Sequence, residues 1–135
     1  MKIQCVHPDH IAQAWPLVAD FITSALEYSH GEYTPDQARL LLSNGAWSLY
    51  VAVDDDGTLR GAGAVQFNNL PNDRVAFVVA IGGKLFTSQD TWRQFTELLK
   101  LRGATRVEGA ARESIARLWK RYGFEEKYRI LGVTL

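Results

Sequence analysis

One cysteine, one methionine and four prolines are all that this 135-residue chain holds of those types. A single thiol excludes an internal disulfide and weakly favours a reducing compartment. Cys5 falls in a candidate first strand and reads as a buried, inert thiol. Long apolar runs are missing too. None approaches the roughly 20 residues of a membrane helix, and Gln4, His7, Asp9 and His10 interrupt any signal-peptide core. These absences point to a cytoplasmic chain with no membrane partner. Net charge is also absent, with 15 Lys and Arg against 15 Asp and Glu. The basic residues from Lys100 to Arg129 are interleaved with Glu108, Glu113, Glu125 and Glu126, which argues against a nucleic-acid module. No His, Cys or carboxylate spacing suggests a metal site. Asp54-Asp55-Asp56-Gly57 is good hairpin-turn chemistry and lacks the ligand spacing of a calcium loop.

What is present suits one domain over residues 1–135 with one real core. Hydrophobic residues make up 47% and charged residues 22%, the balance of an ordinary globular protein. The charges are unevenly placed. Residues 1–68 hold three basic and eight acidic side chains, net −5, and residues 69–135 hold twelve and seven, net +5. Such asymmetry suits an anionic ligand on the second half. It is equally what two halves that neutralise each other in the fold would show.

Lys2 to Val6 reads as a strand, broken by His7-Pro8, with Asp9 placed to cap the helix that follows. Ile11, Ala14, Trp15, Val18, Phe21, Ile22, Ala25 and Leu26 are spaced as one helical face. Pro16 inside it predicts a kink, or a break at Trp15. Thr34-Pro35 opens a second helix, which ends at Asn44-Gly45. Trp47 to Val53 alternates, with Trp47, Leu49, Val51 and Val53 on one face. Leu59 to Phe67 is the return strand of that hairpin. Val75 to Ile81 is an apolar strand running into Gly82-Gly83-Lys84. Thr87 or Ser88 opens a helix that ends near Arg102-Gly103, with Trp92, Phe95, Leu98 and Leu99 on its core face. Thr105 to Gly109 is a strand, and a helix beginning near Glu113 or Ser114 ends at Gly123-Phe124. Tyr128 to Leu135 alternates apolar residues and is expected to close the sheet. The reading is an α/β fold with a mixed sheet, antiparallel early and parallel at one junction, and helices on both faces. A strand followed by a helix N-terminus beside an open strand end suits a phosphate-bearing ligand.

This element order resembles the GCN5-related N-acetyltransferase (GNAT) superfamily along essentially the whole chain. In sequence the resemblance rests on the helix ending Ile115-Ala-Arg-Leu-Trp-Lys-Arg-Tyr-Gly-Phe124, the strand–loop–helix from Val75 to Leu101, and the hairpin from Trp47 to Phe67. Val107-Glu-Gly-Ala-Ala-Arg followed by a basic helix resembles a divergent, phage-type member, compatible with a phage or prophage source. The resemblance implies a sheet of six to seven strands with about four helices. It implies transfer of an acetyl group from acetyl-CoA, as co-substrate, to an amine of a small molecule or protein. The cofactor-binding residues it implies are Ala80, Ile81, Gly82, Gly83, Lys84, Thr87, Ser88 and Gln89. The acceptor would be bound by the loop carrying His30, Glu32 and Tyr33. Glu108 is the first candidate base, with Arg106 on the same face as its alternative ion-pair partner. A homodimer is compatible with the family.

Two positions depart from the family pattern. The glycines of the phosphate loop come early, at the strand end, and Asp90 sits in the helix's first turn. The tyrosine that commonly protonates the departing thiolate is Trp119 here, and an indole N–H releases no proton at neutral pH. Tyr122 lies on the same helix, three residues on. These departures motivate a second expectation, a GNAT-like scaffold without acetyl transfer, acting as a binding or virion-associated protein. An open cleft between the strands Val75–Ile81 and Thr105–Gly109 would favour the enzyme. Phe86 and Trp119 filling it would favour the scaffold.

Overall fold

The computed structural model describes residues 1–135. The element order is β1 (Lys2–Val6), a 3-10 turn (Pro8–His10), α1 (Ile11–Leu26), α2 (Pro35–Ser43), β2 (Ser48–Val53), β3 (Leu59–Asn69), β4 (Arg74–Gly83), α3 (Gln89–Leu101), β5 (Arg106–Gly109) and α4 (Glu113–Lys120). The five strands lie in sequence order in one sheet. Neighbours are antiparallel from β1 to β4, and β4 and β5 are parallel. The mixed sheet and its single parallel junction are as the pattern predicts.

Alternation along the strands sorts side chains to two apolar layers. Trp47, Leu49 and Val51 join Ile11, Val18, Ile22, Ala38 and Leu42 on the α1–α2 side. Tyr50, Ala52, Val65, Ala76 and Val78 join Phe95, Leu99 and Trp119 on the α3–α4 side. Helix α1 runs unbroken through Pro16. Pro16 is exposed, so the carbonyl that loses its helical partner faces water. Asp9 does not cap α1. His7 caps the preceding turn instead, its Nδ1 accepting from the Asp9 N–H. Thr34 caps α2 and Ser88 caps α3, each in a reciprocal capping box. The Asp54 carboxylate organises the β2–β3 turn. It accepts from the N–H groups of Asp56 and Thr58 and from Arg60 Nε at 2.6 Å.

Three expectations need correction. Cys5 is exposed, because β1 is an edge strand with β2 as its only neighbour. The sheet has five strands rather than six or seven. Tyr128 to Leu135 alternates as a strand should but pairs with nothing, and residues 124–135 have no regular structure. A strand exists only with a neighbour. The open edge nearest in sequence, β5, is four residues long and is bonded to β4 alone.

Candidate active site

The site forms where β4 and β5 part. Val75–Val78 of β4 pair with Arg106–Gly109 of β5, and there the pairing stops. Strand β4 runs on to Gly83 with no partner on that side. The cause is local. The β3–β4 register shifts between Ala64 and Val65, which pair with Ala80 and Val78, leaving Val79 as an extra residue. Val79 and Ala80 then both face the α1–α2 layer, while Val78 and Ile81 face the α3–α4 layer. A bulge bends and twists its strand, and this one lies one residue beyond the last parallel pair. Backbone groups of β4 past Val78 that point toward β5 are therefore free for a ligand with extended amide character.

The loop from Gly82 to Ser88 follows. A Cβ on Gly82 would lie 2.5 Å from the Phe21 carbonyl oxygen on α1. Gly83 has φ 66°, and a Cβ there would meet Phe21 Cε1 at 2.8 Å and Gly61 Cα at 2.9 Å. The Lys84 N–H is used by the Arg60 carbonyl at 2.9 Å. Gly61 and Gly63 make room for the returning chain, since a Cβ on Gly63 would strike Leu85 Cδ2 at 2.7 Å. The glycine pair thus lets the strand end pass close to α1 and β3. Lys84, Thr87, Ser88 and Gln89 are exposed at the mouth of α3. A surface groove of about 630 Å³ reaches Gly83 and Lys84 of this loop and is otherwise lined by Met1, Phe21, Asp54, Leu59 and Arg60. Asp90 is held below the usual carboxylate range, first by Arg93 and then by Gln94. Its charge at the α3 N-terminus is partly neutralised in this way, which lessens its conflict with a phosphate.

Between α3, α4 and the loop lies an aromatic cluster. The Phe86 ring is stacked on Phe95 at 5.1 Å and is 5.7 Å from Trp119. Trp92 stacks on Tyr122 at 5.3 Å. Phe124 is 5.0 Å from Trp119 and 5.4 Å from Trp92. Phe86 and Trp119 are buried. The Trp119 ring lies against Gly109, where an added Cβ would be 2.7 Å from Cζ3. Phe86 and Trp119 therefore fill the α3–α4 side of the junction, and Tyr122 is half-buried beside them.

Glu108 lies on the other face of β5 from Val107, which packs toward α3 and α4. Its Oε2 accepts from Lys127 Nζ at 2.9 Å and from Arg106 Nε at 3.2 Å. Lys127 first, then Arg106, hold its carboxyl below the usual glutamate value of 4.5. A depressed carboxyl stabilises the fold above its unfolded pKa and loses that contribution as pH falls through its folded pKa. The melting temperature of wild type should thus exceed that of Glu108→Gln near neutrality. The gap should close on acidification through and below the ordinary glutamate range, as a pH series of thermal melts would read. A constant gap would separate the pair from stability.

The α1–α2 loop reaches this region through one contact. Arg112, three residues past β5, places its guanidinium carbon 4.0 Å over the Tyr28 ring. His30 (φ 55°) and Gly31 (φ 76°) turn the loop sharply. Glu32 is exposed. Tyr33 packs edge-on against Trp47 at 4.7 Å, so its ring belongs to the core layer. The structure thus brings Ala80–Gln89, Glu108 and Trp119 to one end of the sheet, with the His30–Tyr33 loop tied to that end by Tyr28. Sequence reasoning missed four participants: the Val79 bulge, the Tyr28–Arg112 stack, Lys127 as the partner of Glu108, and the purpose of Gly82-Gly83. The apolar pair Leu85-Phe86 in an otherwise polar loop was the visible signal of the aromatic filling.

At the opposite end of the sheet a smaller groove of about 270 Å³ is lined by Cys5, Val6, His7, Pro8, Gly45, Ser48 and Arg102. It shares no residue with the candidate site.

This arrangement is a GNAT-like fold, shared with solved acetyltransferase structures. No protein family matches the sequence, and no curated protein matches it. Solved structures do match. One is an aminoglycoside acetyltransferase from an uncultured soil metagenomic sample in complex with sisomicin. It is 13% identical, with TM-score 0.69 over 99% of this chain and 95% of that one. A second is the ribosomal-protein-alanine N-acetyltransferase from Brucella melitensis biovar Abortus 2308, at 14% identity and TM-score 0.68 over 100% of both chains. A predicted acetyltransferase from Clostridium acetobutylicum, with acetyl-CoA, matches at 13% identity and TM-score 0.65 over 98% and 95%. At these identities the likeness concerns the fold. No helix of the chain is long and apolar enough to cross a membrane.

Proposed function

We propose that residues 1–135 act as one GNAT-like domain that transfers an acetyl group from acetyl-CoA to an amine. The observation that carries this reading is the free edge of β4 from Val79 to Gly83, opened by the bulge beside the α3 N-terminus. Amide groups of an extended acyl carrier would pair with that edge at Ala80 and Ile81. A backbone N–H near Ile81 or Gly82 would meet the thioester carbonyl as negative charge develops there. Lys84, Thr87, Ser88 and Gln89 would face the phosphates.

In the reaction the acceptor nitrogen attacks the thioester carbon, a C–N bond forms and the C–S bond breaks. The amine's proton leaves toward Glu108, directly or through water. Lys127 and Arg106 make Glu108 a weaker base, at about 1.4 kcal/mol per pKa unit, so relay by water suits it better than direct abstraction. The thiolate takes up a proton. Trp119 supplies only a hydrogen bond, and Tyr122, in the turn just past α4 rather than on the helix, carries the O–H. His30 and Glu32 would border the acceptor, on a loop tied toward the opening by Tyr28 and Arg112, while the Tyr33 ring, packed on Trp47, would anchor that loop to the core. Acceptors named for similar folds span a small-molecule class and a protein amine, and either suits the exposed loop.

A second reading has its own observation. Phe86 and Trp119 fill the junction, as expected of a scaffold of the binding or virion-associated, phage-type kind that no longer transfers acetyl groups. Titration calorimetry with acetyl-CoA separates the two. The enzyme reading expects heat of binding, a raised melting temperature and thiol release with some member of an amine panel. A ligand at 100 times its Kd adds about 2.7 kcal/mol. No heat, no shift and no turnover would leave the scaffold.

A further inference from the structure

The groove of about 270 Å³ at the far end of the sheet carries chemistry that acetyl transfer does not use. No Asp or Glu lines it. Cys5 pairs with Tyr50 across β1 and β2, and Ser48 lies two residues before Tyr50. Strand alternation therefore puts all three on the α3 face, where Tyr50 packs against Phe95. Arg102, the residue that ends α3, reaches the same place, its Nη1 donating to Ser48 Oγ at 3.2 Å. Its guanidinium carbon sits 4.7 Å over the Phe67 ring. One face of the group is thus covered, and its remaining edge is left for a ligand.

Behind Cys5 and Arg102 lies a group with no partner. Tyr50 is fully buried, and its hydroxyl oxygen makes no hydrogen bond. Such a group gives up its hydration with nothing in exchange. The side chains that act on it are Cys5 and Arg102, and both line the groove, so the hydroxyl is directed toward the groove. Burial first, then Cys5, pushes the phenol up, and burial pushes the Cys5 thiol up. Both are protonated donors near neutrality. Positive charge is in excess here. The arginines in ion pairs are Arg60, Arg93, Arg106 and Arg129. Arg102 has no carboxylate partner, nor has Arg74, whose guanidinium lies over the same Phe67 ring at 4.9 Å. The Asp9 carboxylate stands 3.6 Å from His7 Nδ1 and is not among the lining groups.

We propose that this groove binds a small organic monocarboxylate. One uncompensated guanidinium on the wall matches one negative charge, and a planar carboxylate fits its fork of N–H donors. The Tyr50 O–H and the Cys5 S–H would donate to the inner carboxylate oxygen. Val6 and Pro8 are the apolar wall for a short hydrocarbon body. The Tyr50 hydroxyl is closed to water, so the ligand reaches it by displacing the exposed Cys5 side chain or the Arg102 head. A phosphate dianion would need a second cation, and none lines the groove beside Arg102 and His7. The proposal stands on converging donors and does not depend on acetyl transfer.

The probe is propionate, titrated into the full chain at constant ionic strength and followed by the NMR shifts of the Cys5 amide and the Arg102 Nε–H. Both should move and saturate. Propionamide and chloride should give no saturating shift, and inorganic phosphate should bind more weakly. Arg102→Gln should abolish saturation with an unchanged circular dichroism spectrum, since Arg102 is exposed. Tyr50→Phe should weaken propionate binding several-fold while its melting temperature equals or exceeds that of wild type, because the hydroxyl it removes has no partner. A tyrosine with a purely structural role would give the reverse, a lower melting temperature and unchanged binding, and would overturn the proposal. So would shifts that fail to saturate, that chloride or phosphate reproduces, or that survive Arg102→Gln.

Discussion

Phe86→Ala should destabilise the protein by about 3–5 kcal/mol and at the same time strengthen its response to acetyl-CoA. Phe86 is 2% exposed and contacts Phe95, Trp92, Trp119 and Tyr122. Removing the ring leaves a cavity walled by aromatic faces that cannot collapse fully, so the transfer and cavity penalties add. Against a total stability of roughly 5–15 kcal/mol this is a large share, and urea unfolding will read it directly. The cavity lies where Phe86 and Trp119 close the α3–α4 side of the strand opening. If that filling excludes the acyl carrier, the variant's melting temperature should rise more with acetyl-CoA than that of wild type, although it starts lower. A loss under about 1 kcal/mol would mean the ring is not central to the cluster. A large loss with no gain in ligand response would favour the scaffold.

Gly83→Ala is the second expected large effect. The residue sits at φ 66°, a backbone region that costs an L side chain roughly 1–2 kcal/mol. The new methyl would also press on the Arg60 carbonyl, Phe21 Cε1 and Gly61 Cα. We expect a combined cost of about 2–4 kcal/mol by denaturant titration. Gly57→Ala is the internal control. Its φ is 81°, but nothing lies within 4 Å of the added carbon, so only the conformational part should appear. If the glycine pair instead served close approach to a phosphate, Gly83→Ala would weaken acetyl-CoA binding while leaving stability near wild type.

These cases show which parts of the chain were legible in its residues. Features set by neighbours in sequence were readable. The alternation of Trp47 to Val53 sorted correctly to the two layers, the Asp-Gly turn formed the hairpin, and Thr34 and Ser88 capped the helices the periodicity implied. Features set by distant neighbours were not. The pattern of Tyr128–Leu135 is that of a strand, but a strand forms only where a neighbouring edge pairs with it, and no edge does so here. Cys5 looked buried because alternation says nothing about a strand's place at the rim of the sheet. Glu108 was readable as a carboxylate at the end of β5. The ammonium group that lowers its pKa comes from Lys127, 19 positions away. Gly82-Gly83 was legible as a pair requiring special backbone, while its physical reason, the passing carbonyl of Phe21, lies 61 residues earlier in the chain.

The extra residue in β4 has a consequence for how this site could be gained or lost. Because Val79 and Ala80 share a face, excising Val79 would leave Ala80, Ile81 and Gly82 pointing where they point now. Only the added twist would go, and β4 would be free to continue alongside β5. The opening is thus specified by chain length at one position and by no particular side chain. Substitutions at Val79 should leave it in place, and a single in-frame deletion should close it.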